Sequence, residues 1–230
     1  MPDEIYFHLI WLFVIVISLL MLFLCYLYFS KQRALNNEHT SFAFSHLVME
    51  GMETERQRIS RELHDIILPQ VVGLPVSAQI RTICMELMPP DFSKLSLKDL
   101  MADICNKFNK QTGMECAFFI DEDISFAHLS AENQLHLYRM MQESFTNIKK
   151  HSKANKALLV ARCDNDNILI CVSDDGIGLD GSEEGLGMKS LRQRASIIGA
   201  KINFISESAN GLMVKIELPM LLHASQDNRI

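Results

Sequence analysis

The chain has 230 residues, a formal net charge of −6, 48% hydrophobic residues and 22% charged residues. This length suffices for one membrane segment and one or two modest globular units. The negative charge and the absence of a basic cluster in the sequence argue against direct nucleic-acid binding, because phosphate backbones favour a concentrated basic surface. The six cysteines form no CxxC pair. We interpret them as buried thiols in a reducing compartment.

The first predicted element is a membrane-spanning helix over residues 9–29. These 21 residues carry no charge, and as a helix they would span roughly 30 Å, the thickness of a bilayer core. Acidic residues precede the run and Lys31 and Arg33 follow it, which places the C-terminal side in the cytoplasm. The start is not basic, as a signal peptide would require. We therefore predict a short extracytoplasmic N-terminus over residues 1–8, one pass through the cell membrane with lipid contact, and a cytoplasmic catalytic part.

The next segments favour helix. Residues 30–54 form a predicted helical linker, and apolar residues at spacings of three and four between residues 59 and 67 indicate an amphipathic or paired helix. Pro69 is expected to kink or end this stretch. A second helical piece is predicted over residues 76–87, so that residues 55–96 hold two short helices.

Residues 97–220 have the pattern of an independent α/β unit, followed by a tail over residues 221–230. Helices are predicted over residues 97–109, 131–151 and 189–198. Strands are predicted over residues 115–120, 157–163, 168–173, 202–207 and 212–218, with hairpin turns at 164–167 and at Asn210-Gly211. This order predicts a mixed sheet covered by helices on one face.

The first polar cluster with chemical potential is ERQRISRELHD, residues 55–65, which ends at His64 and Asp65. An imidazole nitrogen can attack phosphorus, and a neighbouring carboxylate can orient the ring and accept its proton. A histidine on a charged helix face is also an ordinary solvated side chain, so this cluster alone does not decide between the two readings.

The second cluster is ESFTNIKKH, residues 143–151. Glu143, Asn147 and the Lys150-His151 pair recur every three or four residues and share one helix face, opposite an apolar face. Such an oxygen-rich face suits Mg²⁺, although an ordinary polar surface has the same spacing. The third cluster comprises DDGIG at 174–178 and EGLGM at 184–188, where glycines permit close backbone approach and a helix N-terminus offers N–H groups to phosphates.

The three clusters in this order resemble the two-component sensor histidine kinases of the NarX–DesK class, over residues 55–219. ERQRISRELHD resembles the phospho-acceptor box, ESFTNIKKH the N-box, DDGIG the G1 box, GLGMKSLRQRA the lid and G2 region, and NGLMVKIELP the final hairpin. The resemblance implies an α/β fold class. A short helical dimerisation and phospho-acceptor segment (55–96) would follow the transmembrane helix, and a Bergerat-type (GHKL) α/β sandwich with a mixed sheet would form the ATP-binding domain (97–220).

The resemblance also implies roles for individual residues. His64 would be the phospho-acceptor, Asp65 its base or orienting partner, and Glu143 would help align the reaction. Nucleotide and metal contacts would come from the remaining residues: Asn147 on Mg²⁺, Lys150 and His151 near the phosphates, Asp174 on the adenine amine, Gly176 and Gly178 by close approach, and Gly185 and Gly187 at the phosphate end under a mobile lid.

The implied function is ATP-dependent phosphorylation of His64, transfer to an aspartate of a response regulator, by family analogy a DNA-binding one, and homodimer formation. Two departures stand out. Pro69 occupies the position five after the histidine where the class commonly has a glutamine for phosphatase action, and Gln70 follows it. Only 22 residues separate His64 from Glu86, which predicts a shortened helical hairpin. Two alternatives remain: a signalling scaffold that binds ATP or a partner without transferring phosphate, and another GHKL ATPase.

Overall fold

The structure is a computed structural model that describes residues 2–164, 166–179, 184–206 and 211–220. The predicted tail at 221–230, the Asn165 part of the first hairpin turn, and residues 207–210 around the second turn lie outside this range. The chain divides into two compact units, residues 1–48 and 49–230.

The first unit consists of helix. Helix α1 extends over Pro2–Glu62, and within it Trp11–Arg33 forms a 23-residue stretch with a mean hydropathy of 2.8 and no part buried inside the protein. By length and composition this stretch can cross a bilayer, a test that a signal sequence also passes. The predicted span over 9–29 therefore overlaps the one candidate in the described part of the chain.

The second unit opens with a short helical hairpin. After α1 come a π-helical turn, Leu63–Ile67, helix α2, Leu68–Gln70, and helix α3, Val76–Leu87. The buried hydroxyl of Ser60 donates a hydrogen bond to the backbone carbonyl of Cys84 at 2.9 Å, which joins α1 to α3.

Pro69 accounts for the π-helical turn. Proline lacks an N–H group, and its ring collides with the carbonyl four residues earlier in an α-helix, here that of Asp65. The wider turn relieves this collision, and the N–H of Leu68 accordingly bonds to the carbonyl of Leu63, five residues back. The helix ends at Gln70, one residue after the proline. Pro69 thus widens the turn that precedes it and lies at the end of the helix, as the sequence predicted.

The rest of the second unit is an α/β fold. Helix α4 (Leu97–Thr112) begins at Ser96, which forms a capping box with Asp99. The elements that follow are β1 (Glu115–Ile120), α5 (Ala131–Asn147), a second π-helical turn (Ile148–Ser152), β2 (Lys156–Asp164), β3 (Asn167–Asp174), α6 (Leu186–Ile197), β4 (Lys201–Ser206) and β5 (Leu212–Pro219).

The five strands form one sheet in the order β1-β2-β3-β5-β4. Strands β1 and β2 are parallel and the other pairs are antiparallel, which confirms the predicted mixed sheet. Alternate residues of β2, such as Leu159 and Ala161, are fully buried and join the core formed with α4, α5 and α6. The helices therefore cover one face, as predicted.

Three predicted helix boundaries differ from the structure by three residues or more. Helix α4 continues to Thr112, beyond its predicted end at residue 109. The helix predicted over 131–151 is α-helical only to Asn147 and then widens into the second π-helical turn. Helix α6 begins at Leu186, three residues before the predicted start at Lys189, and it contains Gly187 in its first turn. Glycine is a poor helix former, so sequence propensity places this turn in the preceding loop.

Candidate nucleotide and phosphoryl-transfer site

The polar face of α5 meets the first turn of α6. Glu143 and Asn147 lie four residues apart on this face, while Met140, Met141 and other apolar residues of α5 are buried in the core. A Cβ atom added at Gly187 would collide with the Glu143 carboxylate and lie 3.1 Å from Asn147 Oδ1. The structure thus brings these three predicted residues together, and only a glycine leaves the two side chains in place.

The glycine turn after β3 packs against the end of the second π-helical turn. The N–H of Ile177 donates to the carbonyl of Ser152 at 2.8 Å, and a Cβ at Gly176 would collide with that same carbonyl oxygen. Asp175 accepts bonds from the N–H groups of Asn155 and Lys156, each at 2.8 Å. These contacts hold the DDGIG turn at the C-terminal end of the N-box helix.

Asp174 is half-buried at the start of this turn. Its Oδ1 accepts a hydrogen bond from the N–H of Gly176 at 2.8 Å. Burial raises the pKa of Asp174, with a smaller contribution from the like charge of Asp175. Gly211 packs so closely that a Cβ there would collide with the carbonyl oxygen of Asp174. The carboxylate is thus held by the N–H of Gly176 in the turn and by the N–H of Leu212, and both bonds offset part of the rise in its pKa.

The other predicted nucleotide residues lie around these two contacts. Lys150 and His151 are exposed on the second π-helical turn. Gly185 directly precedes α6, and a Cβ there would meet no atom within 4 Å. Gly178 follows Gly176 in the turn with a φ of 70°.

The predicted acceptor pair lies on the first π-helical turn. The side chains of His64 and Asp65 are 65% and 70% exposed, and His64 Nδ1 lies 2.9 Å from Asp65 Oδ1. A carboxylate accepts hydrogen bonds, so this geometry suits the imidazole tautomer with its proton on Nδ1 and a lone pair on Nε2. This arrangement presents a nucleophilic nitrogen to solvent.

A cavity of about 490 Å³ lies between the helical hairpin and helices α4, α5 and α6. Glu143, Lys150 and Gly187 line it together with Arg56 of α1. Within the described ranges, its lining does not include His64, Asn147 or Asp174. The predicted nucleotide residues therefore form two groups. Glu143, Asn147 and Gly187 meet where α5 contacts α6, and Asp174 and Gly176 lie in the turn at the end of the π-helical extension of α5. The acceptor pair does not line this cavity.

Sequence reasoning missed two buried arginines. Arg139 is bonded to Glu53 of α1, and Arg194 bonds His136 Nδ1 at 3.0 Å. Burial lowers the pKa of Arg194 to about 10. Arg139 precedes Glu143 by four residues, so extending the predicted polar face one helical turn would have found it. No comparable signal in the sequence marked Arg194.

The C-terminal part of the chain is similar in sequence to a known family of ATPase domains. Residues 132–222 match the family described as histidine kinase-, DNA gyrase B-, and HSP90-like ATPase. The similarity to this family is confined to residues 132–222, in the C-terminal part of the α/β fold. The histidine kinase domain of the Erythrobacter litoralis EL346 blue-light activated histidine kinase has a similar fold, with a TM-score of 0.50 and 17% identity, covering 71% of this chain and 95% of that one.

Similarity to several other proteins extends beyond residues 132–222. The chain is 24% identical over 207 residues to the sensor histidine kinase LiaS of Bacillus subtilis (strain 168), covering 76% of this chain and 56% of LiaS. It is 24% identical over 204 residues to the oxygen sensor histidine kinase NreB of Staphylococcus carnosus (strain TM300), covering 74% of this chain and 58% of NreB. The chain thus spans somewhat over half the length of these relatives. The resemblance to sensor histidine kinases with a GHKL ATPase domain is confirmed.

Proposed function

We propose that this chain is a sensor histidine kinase that transfers the γ-phosphoryl group of MgATP to His64 and then to an aspartate of a response regulator. The observation that carries the proposal is the packing of Glu143 and Asn147 against Gly187. This contact places a carboxylate and an amide at a helix N-terminus, where phosphates bind favourably. The relatives named as sensor histidine kinases support the same function.

Different residues would hold the adenine end and the phosphate end of the nucleotide. Asp174, which is held by the N–H groups of Gly176 and Leu212, would accept a hydrogen bond from the adenine amine. Lys150, His151 and the turn at Gly185 would lie near the phosphates. The amide oxygen of Asn147 and the neighbouring carboxylate of Glu143 are hard oxygen donors that fit Mg²⁺, which neutralises phosphate charge when bound.

The transfer step would use the exposed acceptor pair. The Nε2 lone pair of His64 attacks the γ-phosphorus, the bond from that phosphorus to the bridging oxygen of ADP breaks, and ADP leaves. Asp65 holds the Nδ1 proton and stabilises the positive charge that develops on the ring. In a second transfer, a carboxylate of the response regulator takes the phosphoryl group and His64 returns to the neutral form.

Two apolar surfaces support the proposed homodimer and membrane location. Large apolar side chains on the hairpin are exposed, namely Ile66, Ile67, Val72, Leu74 and Ile83. Such a patch suits association with a second copy of the chain, which supports the proposed homodimer. The exposed apolar stretch Trp11–Arg33 supports a location in the cell membrane by one span.

The test uses the full chain purified in a mild detergent and incubated with MgATP labelled at the γ-phosphate. The proposal predicts an acid-labile, alkali-stable label that moves to an added response regulator. The second candidate function is a nucleotide-binding scaffold, which the exclusion of His64 from the cavity lining favours. Nucleotide binding without labelling would support the scaffold and contradict the kinase.

A further inference from the structure

The cavity between the hairpin and the ATPase fold is strongly cationic. Its lining contains six basic side chains, Arg56, Lys107, Arg139, Lys149, Lys150 and Arg194, and two acidic ones, Glu86 and Glu143. A concentrated positive potential in a cleft of this kind attracts anions and raises their local concentration. The cavity therefore fits an anionic ligand better than a neutral or cationic one.

Most of the buried or partly buried cations already have partners. Arg139 is bonded to Glu53 and Arg194 to His136, while Lys107 forms an ion pair with Asp103 at 2.6 Å. Arg56 is the exception among the arginines of this lining: with the described residues, its guanidinium forms no hydrogen bond or ion pair, although the side chain is half-buried.

The surroundings of Arg56 disfavour its positive charge. Burial lowers the pKa of Arg56, the like charge of Arg139 lowers it further, and the carboxylates of Glu53 and Glu143 offset part of the effect. An unpaired guanidinium in such a position is costly unless an anion occupies the space before it. Arginine also matches phosphate oxygens with two parallel hydrogen bonds.

The position of Arg56 indicates which anion this is. It shares the cavity wall with Glu143, Lys150 and Gly187, the residues that the proposed function places at the phosphate end of the nucleotide. It also lies eight residues before His64 on the same helical segment. The terminal phosphate of a nucleotide held by this end would face α1.

We propose that Arg56 binds the γ-phosphate of ATP, so that the helix that carries the acceptor histidine contributes directly to the nucleotide site. This inference rests on the proposed nucleotide site. Because ADP lacks the γ-phosphate, Arg56 distinguishes the two nucleotides: it holds α1 against bound ATP and loses this contact once the phosphoryl group has been transferred.

The test measures binding rather than turnover. Isothermal titration of the full chain in detergent compares MgAMPPNP, a non-hydrolysable ATP analogue, with MgADP. In Arg56→Ala we expect the affinity for MgAMPPNP to fall about tenfold to hundredfold, the worth of a charged hydrogen-bonded contact, while the affinity for MgADP stays within about twofold. Arg56→Lys should recover part of the loss.

Arg58→Ala is the matched control. Arg58 lies two residues away on the same helix, but it is exposed and paired with Glu55 and Glu62, so neither affinity should change. Equal losses for both nucleotides in Arg56→Ala, or no loss for either, would overturn the role of Arg56 alone. A wild-type chain that binds neither nucleotide would overturn the proposed function as well. Thermal unfolding of each variant verifies that it is folded.

Discussion

Arg139 of helix α5 and Glu53 of helix α1 form a buried ion pair across 86 residues of sequence. The arginine Nε lies 3.1 Å from Glu53 Oε2, and the two side chains are only 2% and 11% exposed. The same guanidinium donates to the backbone carbonyls of Glu86 and Leu87 at the end of α3, at 2.9 and 2.8 Å. The Arg139 side chain thus joins both helices of the hairpin, α1 and α3, to the α/β fold.

Loss of one partner of this pair should destabilise the second unit. In Glu53→Ala the arginine remains buried without its counter-charge, and we expect the free energy of unfolding to fall by about 3–5 kcal/mol. Chemical denaturation measures the change. Arg58→Ala removes two exposed ion pairs on the same helix and should leave the free energy of unfolding nearly unchanged. Equal effects of the two substitutions would contradict the proposed role of the buried pair.

Three glycine substitutions should separate activity from stability. Gly187→Ala displaces the flexible ends of Glu143 and Asn147, so we expect the chain to remain folded while its affinity for MgATP and its rate of labelling fall about tenfold or more. Gly176→Ala presses on the rigid carbonyl of Ser152 and should lower the thermal unfolding midpoint as well. Gly51→Ala, at an exposed position of α1, meets open space and is the control. A stable, fully active Gly187→Ala would show that this close contact is not needed.

Asp174→Asn should abolish ATP binding without lowering the free energy of unfolding at neutral pH. Burial first, and the charge of Asp175 second, raise the pKa of the Asp174 carboxyl above its ordinary value of 3.8. The folded state therefore holds the proton more tightly than the unfolded state. Ionisation costs stability as the pH rises from 3.8 through the raised value, and this cost stays at neutral pH.

The asparagine variant avoids this cost. We expect its free energy of unfolding to equal or exceed that of the wild type at neutral pH, and its advantage to disappear toward about pH 4. The affinity for ATP should nevertheless be lost, because the amide cannot replace the carboxylate on the adenine amine. Denaturation at several pH values and nucleotide titration measure the two effects. A variant that is less stable at neutral pH, yet binds ATP, would contradict both expectations.

Asn147→Asp tests the metal end of the site. The substitution places a second carboxylate beside Glu143 against Gly187, and the added negative charge should repel the phosphates and alter the metal geometry. We expect labelling from γ-labelled ATP to be abolished with no loss of thermal stability. Asn109→Asp, on an exposed position of helix α4, provides a control for the added charge. Undiminished labelling in Asn147→Asp would mean that the metal lies elsewhere.

The sequence predicted the sheet and the shared helix face of Glu143 and Asn147 because both depend on local patterns. The placement of Gly187 near them was implied only by the family resemblance, since this contact joins two separate helices. Alternating burial marks the strands, and a spacing of four marks a helix face. The π-helical turns could not be predicted in the same way, since they depend on how a chain segment relieves a local clash. Pro69 was a visible cause for the first turn, whereas no residue type signalled the second at Ile148–Ser152.

The sequence also could not predict the contacts between the helical hairpin and the α/β fold. Glu53 and Arg139 lie far apart in the chain, and a charged residue on a helix is usually solvated, so nothing in either segment indicated a buried pair. Arg56 was visible only as one of several charges in the acceptor box. Only the structure shows that Arg56 has no partner among the described residues, because Arg58 forms the ion pairs with Glu55 and Glu62.

The most direct test of the proposed function is the location of the phosphoryl group after incubation of the full chain with γ-labelled MgATP. We expect the label on His64, and therefore its complete loss in His64→Gln and its retention in His128→Gln, an exposed histidine between β1 and α5. Label that persists in His64→Gln would contradict the proposed transfer to that imidazole.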